Sequence, residues 1–205
     1  MVRVTKLEQS CLLVEADGRL LVDPGTQAVS AGLVERVGDV DAVLWTHRHA
    51  DHFDERALDA LRQQGATLVA NADVASLLAD GEAVVVGDGD VVEVAGFSVR
   101  ADEVPHVPLV DGSPGPPNTA FTLDGVLLHP GDGLPERLRA EVLACPIAGP
   151  SISFHDAYRL VERTGARTVV PVHYDVFVAD PRLFASACDL AEVRVLAPGE
   201  STDVG

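Results

Sequence analysis

The nine residues from Thr46 to Asp54 constrain this chain more than any other stretch, because they hold three of its seven histidines and two carboxylates. The apolar run from Ala42 to Trp45 just before them predicts a buried strand, and the polar residues after it predict a loop. Imidazole is the commonest protein ligand for transition metals, and carboxylates add hard oxygen donors. The stretch therefore predicts a metal site at a strand end; the alternative is a solvated loop rich in His and Asp.

The spacing of these side chains favours more than one ion. His47 and His49 are two residues apart, so on an extended chain they point the same way and can bind one cation. Beyond them the chain must turn. Asp51 and His52 are then free to project elsewhere, toward a second ion.

Composition restricts the partners of the chain. Its 205 residues, 47% of them hydrophobic, are expected to form a single domain spanning 1–205. The 32 acidic and 15 basic residues give a net charge of −17, which opposes binding to nucleic acid and to anionic membranes. A small anionic substrate is not excluded, because bound divalent cations can dominate the field of a pocket.

The N-terminus lacks the apolar core of a signal peptide, and no run approaches the roughly 20 apolar residues that span a bilayer. The protein is therefore expected to be cytoplasmic. Cys11, Cys145 and Cys188 lie far apart in apolar surroundings without a C-x-x-C pair, and we expect buried reduced thiols.

Turn and cap residues divide the chain into short elements. Asp17-Gly18 and Asp124-Gly125 each join two apolar runs and predict hairpins with positive φ angles in the turn. The last strand is expected at Val193 to Leu196. Helices are expected around Ala31 to Val37, after the N-cap Asp54, after the N-cap Asn71 with Val74, Leu77 and Leu78 inward, and from Ser153 to Thr164.

Further candidate ligands follow other apolar strands in the same way. Strand ends gather along one rim of a sheet, so side chains that follow strands can meet there. The pattern predicts two packed sheets with helices outside and a site along one edge. The candidates, in chain order, are Asp23, the His47 cluster, His106, Asp132 and His173.

This ordered set resembles the metallo-β-lactamase fold superfamily, over nearly the entire chain. The second motif, His-x-His-x-Asp-His, is the most specific match. The phrases from His129 to Asp132 and from Val170 to Tyr174 are most similar to the compact branch that includes ascorbate-6-phosphate lactonase. The resemblance implies an α+β four-layer αββα sandwich with two mixed β-sheets. The five motifs are matched by Asp23, by His47, His49, Asp51 and His52, by His106, by Asp132 and by His173.

The same resemblance implies two divalent metal ions, zinc first and manganese or iron as alternatives. Asp132 would bridge them, and Asp23 would accept a hydrogen bond from the far nitrogen of a ligating imidazole. The first ion would be bound by His47, His49 and His106, and the second by Asp51, His52 and His173.

The expected activity is metal-dependent hydrolysis by a metal-bound hydroxide. Asp51 would be catalytic, orienting the nucleophile, or acting as a base if one metal binds. The substrate would be a small cytoplasmic ester, lactone, thioester or phosphoester, and the chain could form a homo-oligomer. A nucleic-acid or cyclic-nucleotide phosphodiesterase is an alternative, but it should show a basic groove or an added domain. A non-catalytic binding module is the other, but it should have lost ligands.

The sequence leaves open the roles of three side chains and the effects of two differences from the compact relatives. His129 could support the ligands from behind or lie at the surface, whereas His155 is expected to be structural. Tyr174 could donate a hydrogen bond to substrate or pack beneath the loop. Gln9 stands where the compact relatives usually carry histidine, and Gly133 where many have Thr or Ala. Neither departure removes a ligand, but both could alter the pocket floor.

Overall fold

The computed structural model describes all 205 residues and contains two seven-stranded β-sheets. The first sheet, in spatial order, consists of β14 (Ser201–Val204), β1 (Val2–Lys6), β2 (Leu12–Glu15), β3 (Arg19–Val22), β4 (Ala42–Trp45), β5 (Thr67–Ala70) and β6 (Ala83–Val85). The second consists of β13 (Glu192–Val193), β12 (Thr168–Val172), β11 (Val142–Pro146), β10 (Leu127–His129), β9 (Thr119–Leu123), β8 (Phe97–Glu103) and β7 (Val91–Val94).

Both sheets are mixed and follow the same plan. Strands β14 to β3 and strands β7 to β10 pair antiparallel, whereas β3 to β6 and β10 to β13 pair parallel. The helices occupy the connections. They are α1 (Thr26–Ser30), α2 (Leu33–Val37), α3 (Leu58–Gln64) after a short 3₁₀ turn (Glu55–Ala57), α4 (Ala72–Ala75), α5 (Phe154–Thr164) and α6 (Pro181–Ala187).

Three apolar clusters show that these elements form four layers. One cluster lies between the sheets and includes Leu12 and Phe121, one from each sheet. A second packs α2 and α3 against the outer face of the first sheet, and a third packs α5 and α6 against the second. Both faces of each sheet are therefore buried, which is why β4 is apolar throughout rather than alternating. The expected αββα sandwich is confirmed.

The two Asp-Gly hairpins form for different reasons. At Asp124-Gly125 both residues have positive φ, 51° and 67°, as the prediction required. Gly18 does not have positive φ, so the reason given for the first hairpin is wrong. There a Cβ would lie 2.3 Å from the carbonyl oxygen of Ala95, so glycine is required because the β7–β8 turn packs against it.

Other expected elements need correction. The last strand is Ser201–Val204, not Val193 to Leu196, and it pairs antiparallel with β1. The helix around Ala31 to Val37 begins only at Leu33, because Gly32 with φ 79° separates it from α1. The helix after Asn71 has four residues, and Leu77 beyond it is 45% exposed, so its inward placement is wrong.

The predicted N-caps Asp54, Asn71 and Ser153 are confirmed, although Asp54 caps the 3₁₀ turn before α3 rather than α3 itself. Asp54 accepts a hydrogen bond from the Arg56 N–H, and Ser153 begins α5 with a capping box. The three cysteines are buried free thiols, as expected. No helix of the structure has the length and apolar character needed to cross a bilayer.

Candidate metal centre

Strand ends from both sheets bring the candidate ligands to one edge of the sandwich. Asp23 directly follows β3, His173 directly follows β12, and His47 comes two residues after β4. Backbone hydrogen bonds tie the two sheets together here: the Thr119 N–H donates to the Thr46 carbonyl at 2.9 Å. The cluster is therefore built by the completed fold rather than by one local motif.

The first group of donors consists of His47, His49, His106 and Asp132. The Nδ1 atom of His49 lies 3.2 Å from the Nε2 atom of His47 and 3.2 Å from that of His106. The Oδ2 atom of Asp132 lies 3.4 Å from His106 Nε2 and 3.9 Å from His47 Nε2. Three imidazole nitrogens and one carboxylate oxygen thus face a common point.

The second group consists of Asp51, His52 and His173. The Nε2 atom of His173 lies 3.2 Å from Asp51 Oδ2, and that of His52 lies 3.8 Å from the same oxygen. The remaining oxygen of Asp132, Oδ1, is 3.2 Å from His173 Nε2 and 3.3 Å from His52 Nε2. Asp132 therefore presents one carboxylate oxygen to each group.

These distances fit divalent cations. A tetrahedral ion with ligand bonds of about 2.0–2.1 Å has ligands about 3.3–3.4 Å apart. Two buried ligand atoms of the second group lack any hydrogen-bond partner, Nε2 of His52 and Nε2 of His173. The Asp132 oxygen that faces them, Oδ1, also lacks one. Buried polar atoms ordinarily have a hydrogen-bond partner. Three buried atoms without one that face the same point therefore indicate a site for a cation.

Asp23 holds His52 from behind. Its Oδ2 atom accepts a hydrogen bond from His52 Nδ1 at 2.7 Å, which leaves the Nε2 lone pair directed at the centre. Both of its oxygens also accept from Thr46, from the N–H at 2.8 Å and from the hydroxyl at 2.7 Å. The Thr46 oxygen in turn accepts from His47 Nδ1 at 3.0 Å.

Backbone carbonyls perform the same task for the other imidazoles. The Nδ1 atom of His106 donates to the carbonyl of Val107, and that of His173 to the carbonyl of Ala148, both at 2.5 Å. Each bond favours a proton on Nδ1, which leaves Nε2 as the atom that could bind a cation. His49 is the exception, because its Nδ1 atom faces the centre.

The Asp-Pro-Gly turn after β3 has a structural cause. Asp23 is fully buried with φ 49°, a left-handed conformation that Asp tolerates better than most residues. A Cβ on Gly25 would lie 2.1 Å from the carbonyl carbon of Asp51. Glycine therefore allows the ligand loop to lie directly on this turn.

Charges inside the cluster compensate one another. Burial opposes ionisation of Asp132, but the Coulombic effects of the neighbouring His52 and His173 side chains outweigh it and hold its pKa below the usual value. Burial likewise opposes a charge on His173, but Asp132 and Asp51 raise its pKa to about 9. Burial lowers the pKa of His47, and the Coulombic effect of His52 adds to that effect. Asp132 is thus ionised and available to a cation.

The structure separates the residues left open by the sequence. His129 is buried; its Nε2 atom donates to the Ser10 carbonyl at 2.9 Å, and its Nδ1 atom accepts from the Gly131 N–H at 3.3 Å, which braces the turn before Asp132. His155 is exposed in the first turn of α5. The Tyr174 hydroxyl donates to the Leu196 carbonyl at 3.2 Å and does not line the cavity, so the structure gives no support to a substrate contact.

Gln9 is a functional candidate whose role the sequence did not reveal. Its Nε2 atom donates to Asp51 Oδ2 at 3.0 Å, and its backbone carbonyl accepts from the His173 N–H at 3.0 Å. Its Oε1 atom accepts from the Val176 N–H at 3.2 Å. The only sequence signal was that Gln9 stands where the compact relatives usually carry histidine, and the structure shows that its side chain is fully buried.

A cavity of about 610 Å³ adjoins both groups of donors, including His49, Asp51, Asp132 and His173. This volume is in the range of small-molecule sites. Buried imidazole and carboxylate donors at one edge of an αββα sandwich, facing such a cavity, define a class of metal-dependent enzymes.

Comparison with known proteins identifies the family. The model of the beta-lactamase superfamily domain matches residues 3–173, so the chain belongs to that superfamily. The UPF0173 metal-dependent hydrolase PYRAB05000 of Pyrococcus abyssi is 31% identical over 235 residues, covering 100% of both chains. Protein Rv0786c of Mycobacterium tuberculosis is 32% identical over 191 residues, which is 88% of this chain and 87% of that one.

Solved structures show the same fold. Igni18, a metallo hydrolase from Ignicoccus hospitalis, superposes with a TM-score of 0.77 at 24% identity, covering 98% of this chain and 97% of that one. The metallo-beta-lactamase fold protein YhfI from Bacillus subtilis gives 0.72 at 19% identity, with 98% of each chain covered. The expected superfamily is confirmed, and the chain is a metal-dependent hydrolase.

Proposed function

We propose that this chain hydrolyses a small ester, lactone, thioester or phosphoester at a site with two divalent cations. The observation that carries the proposal is the placement of Asp132, whose two oxygens each face a separate group of three further donors. We assign His47, His49 and His106 to one cation and Asp51, His52 and His173 to the other. Zinc is the first candidate because imidazole predominates, with manganese and iron as alternatives.

Two bound cations would lower the pKa of a coordinated water to about 7 and polarise the oxygen of the bond to be cleaved. Asp51 is the candidate for orienting that water, because its side chain is 21% exposed whereas that of Asp132 is only 7% exposed. Gln9 holds one Asp51 oxygen by a 3.0 Å hydrogen bond, which limits the motion of the carboxylate. If one cation binds, Asp51 would instead accept the proton as a base.

The alternative functions have less support. A phosphodiesterase acting on nucleic acid would have to overcome the net charge of −17. A binding module without catalysis would have no need to retain all seven donors, yet both groups are complete. We therefore propose a small-molecule substrate and a cytoplasmic enzyme formed by one domain.

Metal analysis tests this proposal directly. The protein, purified without chelator and saturated with zinc, manganese or iron(II), should hold two equivalents of one of them and hydrolyse members of an ester, lactone, thioester and phosphoester panel. Asp51→Ala should lose at least about 100-fold in kcat, and Asp59→Ala, at an exposed position of α3, should not. One equivalent of metal under saturating supply would refute the two-cation site, and less than one equivalent would refute the proposal as a whole.

A further inference from the structure

The cavity beside the metal centre is walled by apolar side chains. Val107, Leu109 and Val110 come from the loop that follows His106, and Ile152 precedes α5. Phe177 completes the set; its ring centroid lies 5.0 Å from that of His173, with the planes inclined by 31°. A substrate that reaches the ligands therefore contacts hydrocarbon surface.

The charged side chains of the cavity are all acidic apart from the histidines. Asp51, Asp111 and Asp132 line it, and no lysine or arginine does. A hydrogen bond from the Ser113 hydroxyl holds the pKa of Asp111 below its usual value, so this carboxylate is ionised at neutral pH. Arg48 lies within the ligand loop but is engaged elsewhere, donating to the Asp73 carboxylate and to the Ser76 hydroxyl.

The end of helix α5 does not supply an anion site either. Its first residues adjoin Ile152, and a helix N-terminus can attract phosphate. Here the Asp156 carboxylate accepts from the Ser153 N–H at 2.9 Å and from the Ser153 hydroxyl at 2.6 Å. The helix already carries its own anion at that end.

From these walls and charges we infer that the substrate is an uncharged carboxylic ester, lactone or thioester with an apolar acyl group, and that phosphoesters are poor substrates. The metal centre alone would allow hydrolysis of both the acyl substrates and the phosphoesters. A phosphoryl substrate brings negative charge beyond that of the oxygen held by the cations, and apart from the histidines the charged side chains that line the rest of this cavity are carboxylates, which repel that charge. An acyl chain instead places its methylenes against Val107, Leu109 and Phe177.

The reaction follows from this substrate class and rests on the proposed function. The oxygen of water forms a bond to the acyl carbon, and the bond from that carbon to the alcohol oxygen or thiol sulfur breaks. One proton of the water goes to the leaving atom, and the other stays with the carboxylic acid. No oxidant or further reactant is required.

The test compares matched substrates on the metal-loaded enzyme. The 4-nitrophenyl esters of acetate, butyrate and hexanoate lengthen the acyl chain in two-carbon steps, and 4-nitrophenyl phosphate has the same leaving group. Because each buried methylene contributes up to about fourfold, kcat/KM should rise by about 10-fold per step or somewhat less. The phosphate should be at least 100-fold slower than the hexanoate.

A charge-introducing variant tests the cavity wall itself. Leu109 is 36% exposed at the cavity, so Leu109→Arg adds a cation at the rim without burying it. This variant should lower kcat/KM for the hexanoate. It should also lower the ratio of kcat/KM for the hexanoate to kcat/KM for the phosphate. Leu183→Arg makes the same change at a 62% exposed position of α6 outside the cavity and should alter neither value.

A binding measurement separates this inference from the proposed function. Saturation-transfer NMR with 1-hexanol, which has no bond to hydrolyse, should show contact in wild type and Leu183→Arg, and loss of contact in Leu109→Arg. If no substrate is cleaved by fully metallated enzyme, the proposed function fails, and the hexanol signals alone decide the inference. A phosphate cleaved as fast as the hexanoate, flat rates along the series, or equal hexanol contact in both variants would overturn it.

Discussion

Replacing Asp23 with asparagine should weaken the binding of one cation and leave the binding of the other nearly unchanged. The side chain is fully buried and has nearly the shape of asparagine, which also tolerates the left-handed backbone found here. Asparagine can keep an oxygen at the Oδ1 position to accept from the Thr46 N–H. Its nitrogen then takes the place of Oδ2, which lies 2.7 Å from His52 Nδ1.

Two hydrogen-bond donors, the N–H of the new asparagine and the Nδ1–H of His52, then face each other. The imidazole must either change its tautomer or keep an unfavourable contact. His52 can accept the new N–H bond only by moving its own proton from Nδ1 to Nε2. That proton would point at Asp132 Oδ1, 3.3 Å away, where the cation has to bind. The alternative is to keep the ligating tautomer and leave two buried donors in conflict, which costs about 1–3 kcal/mol.

The expected loss is a 10- to 100-fold weaker affinity at the group formed by Asp51, His52 and His173, as is typical when the partner of a ligating histidine is removed. At about 1.4 kcal/mol per tenfold change this equals about 1.4–2.8 kcal/mol, in agreement with the cost of the donor conflict. The other group should change less, by under about threefold, because the Thr46 oxygen can still accept from His47 Nδ1 although its hydroxyl loses Asp23 Oδ2 as an acceptor.

Competition with a coloured chelator, followed by elemental analysis, measures the two affinities, and long-range ¹⁵N NMR reports the tautomer of His52. Asp41→Asn is the matched control, since its exposed carboxylate only accepts from the Arg19 N–H at 2.8 Å. If folded Asp23→Asn bound both cations with wild-type affinity, the carboxylate would not be what fixes His52. Equal weakening of both cations would also contradict the separation of the two groups.

Three further perturbations test other parts of the site. Gln9→Leu removes the donor to Asp51 and should lower kcat and metal affinity about 10- to 100-fold, measured by kinetics and chelator competition. Gly115→Ala places a Cβ 2.4 Å from His106 Nδ1 and should reduce bound metal, whereas Gly87→Ala, whose nearest atom is 3.7 Å away, should not. Removing metal present at about 1,000 times its Kd should lower Tm reversibly by about 8–16 °C in calorimetry, because about 4 kcal/mol is lost.

The convergence of the candidate ligands at one edge could be predicted because these residues differ chemically from the apolar strands they follow. His47 and His173 are polar residues that follow the apolar strands β4 and β12. The end of an apolar run predicts where a strand ends, and therefore at which edge of the sheet these side chains lie. The sequence could not show which atoms hold the imidazoles. The Val107 and Ala148 carbonyls do so, and every residue has a carbonyl.

Long-range pairing accounts for the remaining errors. The final strand, Ser201–Val204, is short, and its partner β1 is at the opposite end of the chain, so no local pattern distinguishes it from a tail. Gly18 was assigned a turn conformation, but its real constraint is the Ala95 carbonyl from the other sheet. The sequence shows Gln9 only as a departure from relatives, because its contact with Asp51 joins residues 42 positions apart.

The proposed substrate preference and the proposed metal binding would be physically linked in this chain, because the same loops line the cavity and hold the candidate ligands. Val107 lines the cavity with its side chain while its carbonyl orients His106, and Phe177 lines the cavity while its ring packs near His173. A substitution at either position that shifts the backbone would tilt an imidazole as well as reshape the wall. Leu109 makes no hydrogen bond to a ligand, so it is a position where the preference for substrates can change while the cations stay bound.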